Sequence, residues 1–230
     1  KVSKDGVSVD IGGMSWFPVL DTFQNKIPHL HFGQKKRGLL GKDVKIFGSF
    51  GLTKEETLKL LDDFVPRKLS KRNVASKKAS LFDIMGKLSP ITISSTVLMR
   101  NTFKSMAGAG WDDAISAELR SKWLKQFLLW EQLRGIQYNR AVMPEDAINS
   151  KLRLIVGADA AEPVLEIGAW AGFEKANGTW SCQLLLGRAL LASEDGTIPK
   201  KELTAYTAGS NMAWLVRNTL KEWVHSTAIS

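Results

Sequence analysis

A chain of 230 residues with 44% apolar content can fill one large core or two small ones. Its longest apolar runs fall well short of the roughly 20 residues that cross a bilayer, its start at Lys1 to Asp10 lacks the apolar stretch of a secretory signal, and its single cysteine, Cys182, excludes an internal disulfide framework. The net charge of +9 is uneven, with 13 Lys+Arg against 6 Asp+Glu in residues 33–86 and balance in residues 1–32 and 151–230. The expected setting is therefore reducing and intracellular, neither secreted nor in a membrane. Basic charge gathered in one block suits a polyanion such as nucleic acid; the plainer reading is a solvated basic surface.

Residues 1–32 read as short strands. Val7 to Ile11 alternates and Gly12–Gly13 breaks it, while Met14 to Phe17 and Thr22 to Ile27 flank Pro18 and Asp21 as a hairpin-like pair. His29 and His31 would share one strand face. A metal centre needs three or four ligands, and no other His or Cys lies nearby, so none is assigned. Residues 33–50 read as a basic, glycine-rich loop.

Four helices follow. Thr53 with Glu56 forms a capping box, Leu58, Leu61 and Phe64 follow at helical spacing, and Pro66 stops the run. A second helix, Ser70 to about Phe82, is studded by Lys71, Arg72, Lys77 and Lys78, with Val74, Leu81 and Phe82 as its apolar contacts. Pro90 suits the first turn of a third, about 91–105, with Ile93, Val97, Leu98 and Phe103. Gly108-Ala109-Gly110 ends it. Trp111-Asp112-Asp113 then opens the fourth, in which Ile115, Leu119, Trp123, Phe127 and Trp130 recur every three or four residues. Asp112 and Asp113 are read as acids at a helix N-terminus, not as a metal pair. The aromatic stripe is read as core, not as a base-stacking platform.

Residues 135–150, with Pro144, read as a linker, and the pattern then turns from helices to strands, which places a boundary near Ser150. Strands are expected at 152–158, 166–173 and 179–187, with Lys175, Asn177 and Gly178 turning between the last two. A loop from Leu190 to Pro199 leads to a helix at about 200–224, with Leu203, Tyr206, Met212, Leu215 and Leu220 as its buried face. Asp159 stands at the far end of the first strand. Alone it is an acid facing water. Glu202, in the first turn of the helix, can be set against it once three antiparallel strands precede that helix. Two such carboxylates can bridge a pair of divalent cations, and Mg²⁺, which seeks oxygen and is content with few protein ligands, suits them.

Five blocks stand in one order: Gly13-Met14-Ser15-Trp16 with Asp21-Thr22-Phe23; Leu69-Ser70-Lys71-Arg72 followed by Ser80 to Pro90; Gly110-Trp111-Asp112-Asp113 with Leu119 and Trp123; Gly157 to Ala161; and Ile198 to Ala205. The series resembles the Pol polyprotein of BEL/Pao-type LTR retrotransposons, from the end of the reverse transcriptase into ribonuclease H. The resemblance implies an α+β chain. Residues 1–32 would be terminal strands of the polymerase palm, 33–150 a basic helical thumb and connection region, and 151–230 a C-terminally truncated ribonuclease H-like α/β domain of three antiparallel strands plus a helix. It implies an RNA–DNA hybrid as partner, contacted by Lys71, Arg72, Lys77, Lys78 and Arg188. It implies Asp159 and Glu202 as catalytic ligands of a two-metal Mg²⁺ site. The rest of Pol would be the other partner, in a cytoplasmic particle or the nucleus.

Departures from the family pattern shape these expectations. The family carries a third carboxylate in a Thr-Asp-Ser strand just after the long helix, and this chain stops at Ser230, where that strand should begin. The site is therefore expected to be incomplete, the sheet to keep an unpaired edge, and the chain to be inactive alone. Ile84-Met85 replaces the usual Pro-Leu, and Ala161 replaces Ser. No Tyr-x-Asp-Asp turn is present, so the piece does not polymerise. No Asp-Thr/Ser-Gly motif is present, which sets aside an aspartic peptidase. The other alternative is a non-catalytic nucleic-acid-binding connection module.

Overall fold

A computed structural model describes residues 7–28, 30, 53–149 and 151–229. His29, His31 and the basic stretch 33–50 lie outside the described residues. The chain divides into two units, Lys1–Phe82 with Ser94–Tyr138, and Asp83–Ile93 with Asn139–Ser230. The turn from helical to strand pattern puts a division near Ser150; by contacts, Asp83–Ile93 counts with the second unit. Among the described residues, no helix is long and apolar enough to cross a membrane.

In the first unit, β1 (Val9–Ile11), β2 (Met14–Phe17) and β3 (Thr22–Asn25) pair antiparallel, and β4 (Gln137–Asn139) completes the sheet order β1-β2-β3-β4. That last strand lies inside the stretch the sequence suggests is a linker. The helix α1 (Lys54–Phe64) starts on the expected box: Glu56 N–H donates to Thr53 Oγ1 at 3.2 Å, and Thr53 N–H to the Glu56 carboxylate at 2.8 Å. Ser70 and Asn73 cap α2 (Lys71–Ala79) in the same reciprocal way. This helix stops short of Phe82, which is exposed.

The aromatic stripe of α4 (Ala117–Gln132) is core, as its spacing predicts: Trp123, Phe127 and Trp130 are fully buried. Two indole N–H groups would be orphaned there. Ser95 and Thr102 of α3 (Ser89–Ser105) accept them, Trp130 Nε1 donating to Ser95 Oγ and Trp123 Nε1 to Thr102 Oγ1, each at 3.0 Å. An apolar-periodicity reading of α3 passes over these two hydroxyl residues, yet both are buried.

Asp112 and Asp113 do not open α4. Ser116 caps it, its hydroxyl accepting the Leu119 N–H at 3.2 Å. Asp112 instead takes a two-pronged ion pair from Arg72, at 2.7 and 3.1 Å, and Asp113 accepts the Gly110 N–H at 2.6 Å. The acids are drawn away from the helix end by a cation and a turn that satisfy them better.

The second unit holds β5 (Leu152–Ala161), β6 (Val164–Glu174), β7 (Trp180–Leu191), α5 (Ile198–Thr219) and β8 (Val224–Ile229), in sheet order β7-β6-β5-β8. The strands β5, β6 and β7 run antiparallel as expected, each longer than its apolar run. The mixed α+β class holds. A fourth strand corrects the expected count of three: α5 ends at Thr219 instead of near 224, and β8 pairs parallel with β5, Leu154 beside Thr227 and Val156 beside Ile229. Hence β5 has a partner on each side, and among the described residues the sheet order ends on β8.

Leu152, Leu154 and Val156 of β5 form one cluster with Ile167, Ala169 and Phe173 of β6 and with Met212, Ala213 and Val216 of α5. Among the residues the sequence offers for the buried face of α5, Met212 is buried, but Leu203 (66% exposed), Tyr206 (57%) and Leu215 (53%) are not. The reason is close approach. A Cβ on Gly209 would lie 2.8 Å from the Ala158 Cβ, so only small residues fit along that line, and Ala205, Gly209 and Ala213 supply them.

The segment Asp83 to Leu88 lies along the outer margin of β7. Gly187 N–H donates to Met85 O at 2.9 Å and Lys87 Nζ to Leu184 O at 2.9 Å, while the Asp83 carboxylate accepts the Leu88 N–H at 2.8 Å. Gly86 sits at φ 65°, and a Cβ there would fall 1.8 Å from Gly187 O. Only glycine permits this approach.

Candidate functional site

Asp159 lies near the C-terminal end of β5, at an exposed position whose neighbours Ala158 and Ala160 pack toward the core. Its Oδ1 accepts the Ala160 N–H at 2.8 Å, which fixes the carboxylate against its own strand. Register places Glu166 of β6 directly opposite. Cross-strand partners have Cβ atoms roughly 5 Å apart, and like charges so placed repel. The sequence reading missed Glu166. The signal was present: if Glu162 and Pro163 turn the hairpin, Ala161 meets Val164 and Asp159 meets Glu166.

Glu202 lies in the second turn of α5, not the first, because the helix begins at Ile198 with Pro199 in its opening turn. It is exposed. The N-terminal end of α5 is held at the β5–β6 turn by the Lys201–Glu162 ion pair, 3.2 Å, and by Ala205 packed with Leu165 and Ala192. Glu202 and Asp159 thus belong to the same end of the sheet. Among the described residues, no three or more His, Cys, Asp or Glu gather as a metal site. The donor chemistry fits Mg²⁺ in kind, since that ion accepts one or two carboxylates and takes water and phosphate for the rest. The structure brings Asp159 and Glu166 together and does not gather a three-acid set with Glu202.

Arg188 of β7 is exposed and pairs in register with Ile167; it lines one cavity together with Asp159 and Glu166. The other expected nucleic-acid contacts are in the first unit and differ among themselves. Lys71 is buried, its ammonium donating to Met106 O at 3.3 Å and to Ala109 O. Arg72 is held by Asp112, which raises the Arg72 pKa and lowers that of Asp112. These two side chains fasten the turn before α4. Lys77 and Lys78 are half-buried in the last turn of α2, where the helix dipole favours cations, and burial lowers the Lys77 pKa.

A family model described as the Pao retrotransposon-like RNaseH-like domain matches residues 70–230. No curated protein matches the chain.

Proposed function

This chain belongs to the Pao retrotransposon-like RNase H-like family, which spans it from Ser70 onward, and from that premise we propose that it handles RNA paired to DNA within a retrotransposon Pol polyprotein, with Asp159 and Glu202 as Mg²⁺ ligands serving cleavage of the RNA strand. The position of Asp159 supports this reading most. It lies toward the C-terminal end of an interior strand, three residues beyond the last pairing with the parallel β8, with the N-terminal end of α5 at the same end of the sheet. In open α/β sheets, ligands gather outside the carboxyl ends of such strands.

Bound there, Mg²⁺ would activate water and stabilise the leaving 3′ oxygen. The chain's own groups prepare the place. The Ala160 N–H orients the Asp159 carboxylate. Glu166 across the register adds negative charge that attracts a cation. Arg188, at the same cavity, offers a guanidinium to a phosphodiester.

The test is hydrolysis of a labelled RNA–DNA hybrid by the purified chain. Cleavage of the RNA strand is expected to require Mg²⁺ and to fall at least about 100-fold in Asp159→Asn, the scale of losing a group that acts in the transition state. Hydrolysis unchanged in that variant removes Asp159 from the chemistry. A second reading, hybrid binding without cleavage, is favoured by the lack of a three-acid group among the described residues. It predicts salt-sensitive hybrid binding, no Mg²⁺-dependent hydrolysis, and no effect of Asp159→Asn on binding.

A further inference from the structure

On the side of the sheet that carries α5, the second unit holds another cavity, of about 480 Å³. Three elements wall it. Ala208, Asn211, Met212 and Leu215 follow at helical spacing along one face of α5. Ile167 of β6 and Arg188 of β7 pair in register, and Leu186 stands two residues before Arg188, so the three share that side of the sheet. Glu166, next to Ile167, faces the opposite side. Asp83 and Ile84 form the third wall, which is fixed to β7 where Gly187 N–H donates to Met85 O at 2.9 Å.

The floor is apolar and the rim is not. Ile167 and Met212 are buried, whereas Ile84 and Leu215, higher on the walls, are 50% and 53% exposed. Among the described residues, the Arg188 guanidinium has no ion-pair or hydrogen-bond partner, and neither has the Asn211 amide. A guanidinium presents paired donors that match a carboxylate, and an amide adds another. Asp83 stands on the same rim. Its carboxylate accepts the Leu88 N–H at 2.8 Å, and its charge counts against a ligand with two negative charges, such as a phosphate monoester. A singly charged anion therefore suits the rim, and an apolar body suits the floor. The space equals that of roughly 16 waters, enough for two fused rings and a short acid arm.

We propose that this cavity binds a small apolar carboxylic acid, its body on Ile167, Leu186 and Met212 and its carboxylate on Arg188 and Asn211. Arg188, on the outer strand, borders the cavity of Asp159 as well. An acid held here draws the guanidinium away from a phosphodiester. The seat itself stands apart from the nucleic-acid reading and meets it at Arg188 alone.

The experiment titrates the full chain by calorimetry with naphthaleneacetate and with naphthaleneethanol, which has the same rings and no charge. The acid is expected to bind at least about fivefold more tightly than the alcohol. Arg188→Gln is expected to erase that difference. Ile84→Asp, at an exposed position, sets a like charge on the wall and is expected to weaken the acid at least about fivefold, with the alcohol little changed. Circular dichroism checks that each variant is folded. No binding of the acid, equal affinity for acid and alcohol, or an unchanged difference in Arg188→Gln overturns the proposal. In parallel, fluorescence anisotropy follows an RNA–DNA hybrid, whose affinity a saturating acid is expected to lower about threefold, the scale of one exposed ion pair. Acid binding with hybrid affinity unchanged sustains the cavity and removes Arg188 from the hybrid contact.

Discussion

Arg120 closes a helix end with a single side chain. The last carbonyls of a helix have no partner within it. At the end of α1, Arg120 donates to the carbonyls of Asp62, Val65 and Pro66, at 2.9, 2.6 and 3.0 Å, and to the Asp62 carboxylate. Arg120→Ala orphans these acceptors and is expected to lower the unfolding free energy by roughly 2–3 kcal/mol in urea titrations. The Asp62 pKa is lowered from 3.8, first by its hydrogen bond from Arg120. A carboxyl with a depressed folded pKa contributes stability above its unfolded value, and that contribution is lost as pH falls through the folded one. Wild-type urea midpoints are therefore expected to drop as pH falls below about 4, and Asp62→Asn to flatten that limb. Single residues were legible to different depths. Asp159 could be singled out from its strand alone. Glu166 required the hairpin register. The burial of Lys71 could not be read at all, because the Met106 and Ala109 carbonyls that hold it lie 35 and 38 residues away.

At the scale of elements, local chemistry was the readable part. The capping box of α1 and the aromatic stripe of α4 depend on neighbours three or four residues apart, and both stand where their spacing puts them. The buried face of α5 depends instead on how near another element comes, so its small residues point inward and its large ones outward. The strand β8 has no inward-outward alternation to announce it; parallel pairing with β5 makes it a strand. Two glycines separate backbone strain from close approach. Gly108 has φ 83° and nothing within 4 Å of an added Cβ, whereas Gly86 has φ 65° and Gly187 O at 1.8 Å. Gly108→Ala is expected to cost about 1 kcal/mol. Gly86→Ala must also displace backbone, and its denaturation midpoint is expected to fall much further.

At the scale of the molecule, the uneven charge bears on how a polyanion would be met. Binding through phosphates releases counterions, so affinity falls steeply with salt. Lys77→Gln combined with Lys78→Gln is expected to reduce the slope of log affinity against log salt by about 2, near one per lost phosphate contact, with little change in denaturation midpoint. Lys71→Gln is expected to do the reverse, lowering stability and leaving the slope alone, since its ammonium serves the 106–109 turn. Salt titrations of hybrid binding, paired with urea unfolding, separate the two. The family match begins at Ser70, so helical residues ahead of β5 belong to it along with the sheet.

The contact between Met85 and Gly187 also covers part of the outer margin of β7. An open strand margin with free N–H and C=O groups is a template on which another chain can add. On β7 that margin is occupied at Gly187 and Leu184 by the chain's own Met85 and Lys87. Lifting that segment away, as Gly86→Val would, exposes β7 to neighbouring molecules. Such a variant is expected to form β-rich oligomers, seen as light scattering that rises with protein concentration at temperatures where the parent stays clear. A turn that reads in sequence as a family signature thus covers part of a strand margin in the fold.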